Sequence, residues 1–291
     1  MANAIILAAG MGTRLGAHTK DLPKGMLSFM GRSLIERSVE TLRAAGITDI
    51  TIVRGHHPEK IAIPGVTYRE NPDYATTNMV ETLLCARDAM TGRQDATMVC
   101  YADIVYEPRL LTAALAAPGD ISVVCDKDYL PYWQARLDKW ESDMESFRYD
   151  TSSERVIELG STGCGVDAAP ARYVGLIKLT PAGVARFLET YDRLRAAHWD
   201  DNARWRHSRS FRTAYMTCML QELIDAGIEV RAVPVERGWL EFDTVEDYEK
   251  ALKWAREGTL EQFIRLDDTT YDDRTYDNTN DNTTHDDGDE R

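Results

Sequence analysis

The stretch Gly10-Met11-Gly12-Thr13-Arg14-Leu15-Gly16 follows the apolar run Ala4 to Ala9 and leads into Lys20-Asp21-Leu22-Pro23-Lys24-Gly25. Closely spaced glycines expose backbone N–H groups that suit phosphate oxygens. Arg14 can neutralise such oxygens in fork geometry, and Lys24 can sit among them as a point charge. Together these residues fit the binding of a polyphosphate. A dinucleotide fingerprint is argued against by spacing, because the third glycine comes one residue late and the second strand-like run ends in Val53-Arg54-Gly55 rather than in an acid. A P-loop is argued against too, since the nearby lysine and glycine occur in the reverse order, Lys24-Gly25. Tight turns need glycine whatever they bind, and surface salt bridges are the other reading of the cations.

Carboxylates at two places can join this chemistry. Val99-Cys100-Tyr101-Ala102-Asp103 puts Asp103 at the C-terminal end of a strand-like run, where open α/β sheets build their sites. In Gly238-Trp239-Leu240-Glu241-Phe242-Asp243-Thr244, Glu241 and Asp243 are two apart and share one side of an extended segment. An exposed strand end for Asp103 and a helix N-cap at Asp243-Thr244 are the plain structural alternatives.

Elements of a layered α/β protein must carry these residues. The runs Ala4 to Ala9, Asp49 to Val53, Thr97 to Tyr101 and Ile121 to Cys125 read as parallel strands. Helical spacing covers Leu34 to Ala45, Val80 to Ala89, Pro181 to Arg195, Phe211 to Ala226 and Val245 to Glu257. Between about residues 127 and 170 shorter alternating pieces, Glu145 to Tyr149 and Arg155 to Leu159, predict a small antiparallel insertion. The expected fold is a mostly parallel, Rossmann-like central sheet of the α/β class over residues 1–266.

The 291 residues carry 34 Lys plus Arg against 48 Asp plus Glu, net −14, which argues against a broad nucleic-acid surface. Ten acids and two arginines fall in residues 267–291, whose only large apolar side chains are Tyr271 and Tyr276. That segment is expected to be a disordered acidic tail. No apolar run is long enough to span a bilayer, and no basic leader or cleavage site precedes the first strand. Five cysteines without a C-x-x-C pair fit a cytoplasmic protein with reduced thiols, and His56-His57 reads as a loop pair.

The first segment, Ala4 to Leu15 with Lys20-Asp21-Leu22-Pro23-Lys24, resembles the signature of nucleotidyltransferases that couple an NTP to a small phosphorylated compound. The segment Thr77-Asn78-Met79-Val80-Glu81-Thr82-Leu83-Leu84-Cys85-Ala86 is similar to one in the cytidylyltransferases acting on phosphocholine, phosphonates or related compounds. The resemblance covers about residues 3–257. It implies transfer of CMP from CTP to the phosphate or phosphonate of a small acceptor, with release of pyrophosphate. Mg²⁺ would be held by Asp103 and Asp243, with Glu241 assisting or orienting Asp243. Arg14 and Lys24 would be catalytic, and Leu7, Ala8, Gly10, Gly12, Thr13, Thr77, Asn78 and Ala102 would bind the nucleotide. Asn78 can present both a donor and an acceptor to a pyrimidine edge.

Trp133, Tyr173 and Lys178 are candidates for the acceptor pocket, aromatic walls being suited to a cation and Lys178 to an acid. Core or dimer contacts are the other reading of these aromatics, and a homodimer is one expectation. Arg193, Arg195, Arg204, Arg206, Arg209 and Arg212 around Trp199 to Trp205 form either an anion site or a solvated face. A sugar-1-phosphate nucleotidyltransferase using UTP, dTTP or GTP, and an inactive nucleotide sensor or interaction protein, stay open as alternatives.

Overall fold

The structure, a computed structural model, describes residues 1–266, so the expected acidic tail at 267–291 lies outside the described residues. The chain opens with β1 (Asn3–Ala8), buried along its whole length and hence covered on both sheet faces. A tight ribbon, β2 (Ser28–Phe29) and β3 (Arg32–Ser33), leads to α1 (Leu34–Ala44), which starts at a capping box formed by Ser33 and Glu36. Strands β4 (Asp49–Arg54) and β5 (Thr67–Glu70) follow, then two short helices, α2 (Met79–Leu84) and α3 (Arg87–Met90). These two replace the single helix expected over Val80 to Ala89. The end of α2 tightens through a bond from the Ala86 N–H to the Leu83 carbonyl at 3.0 Å, which breaks the helix axis.

The second half begins with β6 (Thr97–Tyr101), β7 (Ile104–Tyr106), α4 (Pro108–Ala116) and β8 (Ile121–Asp126). The insertion holds a helix not expected from the pattern, α5 (Leu130–Arg136), before the expected antiparallel pair β9 (Glu145–Tyr149) and β10 (Val156–Thr162). Then come β11 (Arg172–Leu179), α6 (Pro181–His198), α7 (Met216–Asp225), β12 (Arg231–Val235), β13 (Trp239–Glu241) and α8 (Val245–Arg256).

Seven strands make the main sheet in the order β12-β8-β11-β6-β1-β4-β5. Neighbours pair in parallel except at β11, which is antiparallel to both β6 and β8. The sheet is therefore mostly parallel, with small antiparallel ribbons beside it. The chain leaves β1 toward β4 and later returns to its other side as β6. Such a reversal opens a crevice at the carboxyl ends of the strands, which in this fold class is the binding position. A second ribbon, β7 with β13, carries Glu241 opposite Ile104 and so folds residues from near the end of the described chain over the exit of β6.

Candidate active site

The glycine loop leaves β1 at this reversal. Gly12 takes a left-handed φ of +64°, and a Cβ there would come within 2.9 Å of the Lys24 Cβ. The glycine thus lets the loop turn and lets the Lys24 side-chain stem lie against it. The Gly12 carbonyl accepts from the Leu15 N–H at 2.9 Å and from the Thr19 hydroxyl at 2.8 Å, which fixes the turn. Gly25 is equally confined, since a Cβ would stand 2.6 Å from the Ile35 Cδ1. Close packing at Gly25 holds the neighbouring Lys24 at the base of the cleft.

Across from the loop, the Phe242 N–H donates to the Asp103 carbonyl at 3.0 Å, which places Asp243 beside Asp103. Lys24 bridges the two carboxylates, its Nζ donating to Asp103 Oδ2 at 2.5 Å and to Asp243 Oδ1. Arg14 reaches Asp243 Oδ1 at 3.2 Å. Burial alone would lower the pKa of Lys24, but Asp103 and Asp243 outweigh it and hold the ammonium above its ordinary value. Burial alone would raise Asp243, yet Lys24, Arg14 and Arg136 keep it well below the usual carboxylate range. Thr244, not Asp243, caps α8, accepting from the Asp247 N–H at 3.2 Å. Asp243 is thereby left to the cleft.

Arg136 organises the far side of this pair. It is 1% exposed and donates to Glu241 Oε2 at 2.8 Å and to Asp247 Oδ2 at 2.9 Å, with Asp243 Oδ2 at 3.7 Å. Asp247 in turn accepts from the N–H groups of Asp243 and Thr244 at 2.7 and 2.8 Å. Burial pushes the Glu241 carboxyl up while Arg136 opposes it and Asp243 adds to it. Glu241 and Asp243 are therefore oriented through one guanidinium.

The cleft has a volume of about 770 Å³ and is lined by Leu7, Ala8, Gly10, Gly12, Thr13, Arg14, Lys24, Thr77, Asn78, Ala102, Asp103, Tyr173, Glu241 and Asp243, all expected from the sequence. Tyr74, Tyr101, Asp143, Glu145, Arg172, His207 and Tyr215 also line it and were not expected. The Asn78 Oδ1 accepts from the Met79 N–H at 2.9 Å and its Nδ2 donates to the Thr213 carbonyl at 3.5 Å, so the amide is oriented by its cap of α2 while each end keeps one further hydrogen-bonding position.

Trp133 and Lys178 are not brought to the cleft. Trp133 is fully buried, a slab between the guanidinium groups of Arg136 and Arg172 at 4.2 and 4.0 Å from its ring centre. Lys178 is buried too, and its ammonium donates to the Ala117 carbonyl. The antiparallel direction of β11 explains this: Tyr173 pairs with Cys125 near the carboxyl end of β8, whereas Lys178 pairs with Ser122 near the opposite end. The basic cluster around Trp199 is largely paired internally: Arg195 with Glu81, Arg206 with Glu222 and Asp225, Arg212 with Asp200. It forms a solvated face. His56 and His57 lie in a loop with their rings tilted against each other, 4.2 Å between ring centres.

Two carboxylates, a bridging lysine and a glycine loop at the end of a parallel strand suit polyphosphate chemistry. Among the described residues no group of three or more His, Cys, Asp or Glu side chains converges on one metal position, and no helix is long and apolar enough to cross a membrane. Residues 4–161 match the model of the MobA-like NTP transferase domain. The chain is 32% identical over 256 residues, 85% of its own length and 98% of the relative's, to the CTP:phosphoglutamine cytidylyltransferase of Campylobacter jejuni. It is 37% identical over 118 residues, 37% of its length and 47% of the relative's, to the 2-aminoethylphosphonate cytidylyltransferase of Lancefieldella rimae. Its fold matches the CTP:phosphocholine cytidylyltransferase of Streptococcus pneumoniae with a TM-score of 0.65 at 20% identity, covering 87% of this chain and 99% of the other. The chain belongs to the MobA-like NTP transferase domain family, and it is an enzyme of the nucleotidyltransferase class.

Proposed function

We propose that the chain transfers CMP from CTP to a phosphate or phosphonate oxygen of a small acceptor and releases pyrophosphate. The observation that carries this reading is the convergence of Lys24, Asp103 and Asp243 opposite the glycine loop within one cleft. The preference for CTP is supported by the cytidylyltransferase relatives, which at the same time weigh against the sugar-nucleotide alternative.

The acceptor oxygen is already anionic near neutral pH, so the protein needs no strong base. It attacks the α-phosphorus in line as the bond to pyrophosphate breaks, with no covalent enzyme intermediate. The chain contributes position and charge: backbone N–H groups of the loop hold phosphate oxygens, and Arg14 and Lys24 offset the charge that builds as the anions meet. Asp103 and Asp243 fit a divalent cation, because Asp103 Oδ1 is buried without a hydrogen-bond partner in the protein and both carboxylates already gather around a positive group. Mg²⁺ bound there would neutralise phosphate charge and complete its shell with substrate oxygens and water.

The test is a pyrophosphate-release screen crossing four NTPs with phosphocholine, 2-aminoethylphosphonate, phosphoglutamine and sugar 1-phosphates. CTP is expected to exceed the other nucleotides by at least about tenfold in kcat/KM, a difference of ~1.4 kcal/mol. Faster turnover of glucose 1-phosphate with UTP or dTTP than of any acceptor with CTP would overturn the proposal.

A further inference from the structure

Glu145 opens β9 and faces the cleft from the insertion. Its carboxylate makes no hydrogen bond or ion pair with any described residue. Every arginine and lysine lining the cleft is committed to another acid. Lys24 bridges Asp103 and Asp243, Arg14 lies against Asp243, and Arg172 donates to the Asp143 carbonyl at 2.8 Å with the Asp143 carboxylate at 3.7 Å. Arg172 is further held by the Trp133 ring, which fixes its plane. Tyr173 lines the same cleft, its hydroxyl buried within the field of Glu145 with only a loose contact to the Tyr101 hydroxyl, the two rings lying edge-on.

A largely desolvated carboxylate whose neighbouring cations are bonded to other acids costs free energy unless an incoming group pairs with it. We propose that Glu145 reads a protonated amino group on the acceptor, and that the Tyr173 hydroxyl adds a hydrogen bond to the same molecule. Glu145 is then a specificity-determining residue of the transfer proposed above, and the inference rests on that reading for how the acceptor enters the cleft. Burial pushes the Glu145 carboxyl up against the opposing pull of Arg172, a cost that an ammonium would relieve. An acceptor of the same size without the amino group leaves it in place.

The deciding experiment compares 2-aminoethylphosphonate with ethylphosphonate, which lacks only the amino group, in the full chain and in its Glu145→Gln variant. In the unchanged protein the aminated acceptor should be favoured by at least about tenfold in kcat/KM, the size of one charge-assisted hydrogen bond. In Glu145→Gln the ratio should fall to within about threefold, through acceptor KM, while kcat and the KM of CTP change little. Equal losses for both acceptors would assign Glu145 a structural role, and an unchanged ratio would place the amino group elsewhere; either overturns the inference. If neither phosphonate releases pyrophosphate with CTP, calorimetric binding of the same two compounds decides about Glu145, while the transfer reading itself stands or falls with the wider screen of phosphate and phosphonate acceptors. Absence of any binding preference for the aminated compound in the unchanged protein overturns the Glu145 inference there.

Discussion

The Lys24 ammonium lies 2.5 Å from Asp103 Oδ2 although 79 positions separate the two residues, and the same nitrogen also contacts Asp243. The protein thus places its own cation between two carboxylates that the proposed reaction would use for a metal. All three side chains are 14% exposed, so the charges are weakly screened. Lys24→Ala removes the only ion-pair partner of Asp103 among the described residues and leaves Asp243 to Arg14 and Arg136 alone. Removing one partner of such a buried set costs about 3–5 kcal/mol, and each kcal/mol lowers Tm by about 2–4 °C at this chain length. Thermal melts of Lys24→Ala should therefore show a Tm drop that added Mg²⁺ or Mn²⁺ partly reverses, together with a turnover loss of orders of magnitude. A Tm indifferent to divalent ions would contradict the paired-carboxylate site.

Asp103→Asn and Asp243→Asn should each keep the fold and reduce turnover by at least about a hundredfold, because each removes a formal charge from the proposed cation site. The two are expected to differ in the absence of metal. Asp243 faces Lys24, Arg14 and Arg136, whereas among the described residues Asp103 is ion-paired only with Lys24. Asp243→Asn should consequently lower Tm more than Asp103→Asn. Activity within about threefold of the unchanged protein for both variants would remove them from the site.

Arg136 is the hidden support of this arrangement. Arg136→Met deletes a guanidinium bonded to both Glu241 and Asp247 and leaves two buried carboxylates without it, at a cost of about 3–5 kcal/mol. Arg136→Lys keeps the charge but not the fork that spans the two acids. Both should melt earlier, Met by more than Lys, as followed by circular dichroism. An unchanged melting curve for Arg136→Met would show that Glu241 and Asp247 do not depend on it.

Local pattern made the reactive half of the cleft legible. The glycine loop, Lys24 and the strand-end Asp103 each carry their meaning within a few residues, and Glu241 and Asp243 share a side because strand geometry alternates. The acceptor half depends on contacts that no short window contains. Trp133 looks like a cleft aromatic in sequence, yet its ring fills the space between Arg136 and Arg172, from two different elements. Tyr173 and Lys178 look like near neighbours, but β11 runs against its partners and carries them to opposite ends of the sheet. Glu145 did have a local signal, as the first residue of an alternating strand in the insertion, although only the fold shows that this end of the strand meets the cleft.

Base selection is proposed to fall to the backbone around Leu7, Ala8 and Gly10 and to side chains near Thr77, Asn78 and Met79, and the bonding of Asn78 suggests a variant that separates recognition from folding. Asn78 lines the cleft; its Oδ1 accepts from the Met79 N–H at 2.9 Å, while Nδ2 donates to the Thr213 carbonyl at 3.5 Å and has a second hydrogen to give. A donor there suits the N3 and O2 acceptors of cytosine, whereas N3 of uracil carries a hydrogen and would meet donor with donor. Aspartate caps helices about as well as asparagine, so Asn78→Asp should leave Tm nearly unchanged. It replaces the donor with an acceptor and adds negative charge near the nucleotide. Affinity for every NTP should fall, but CTP should lose more than UTP, bringing a CTP preference of at least about tenfold close to parity. Steady-state kcat/KM for the two nucleotides with one acceptor reads this ratio directly. If CTP and UTP lose equally, Asn78 serves as a cap at the cleft wall and the base is read by the backbone around Leu7 and Ala8 instead.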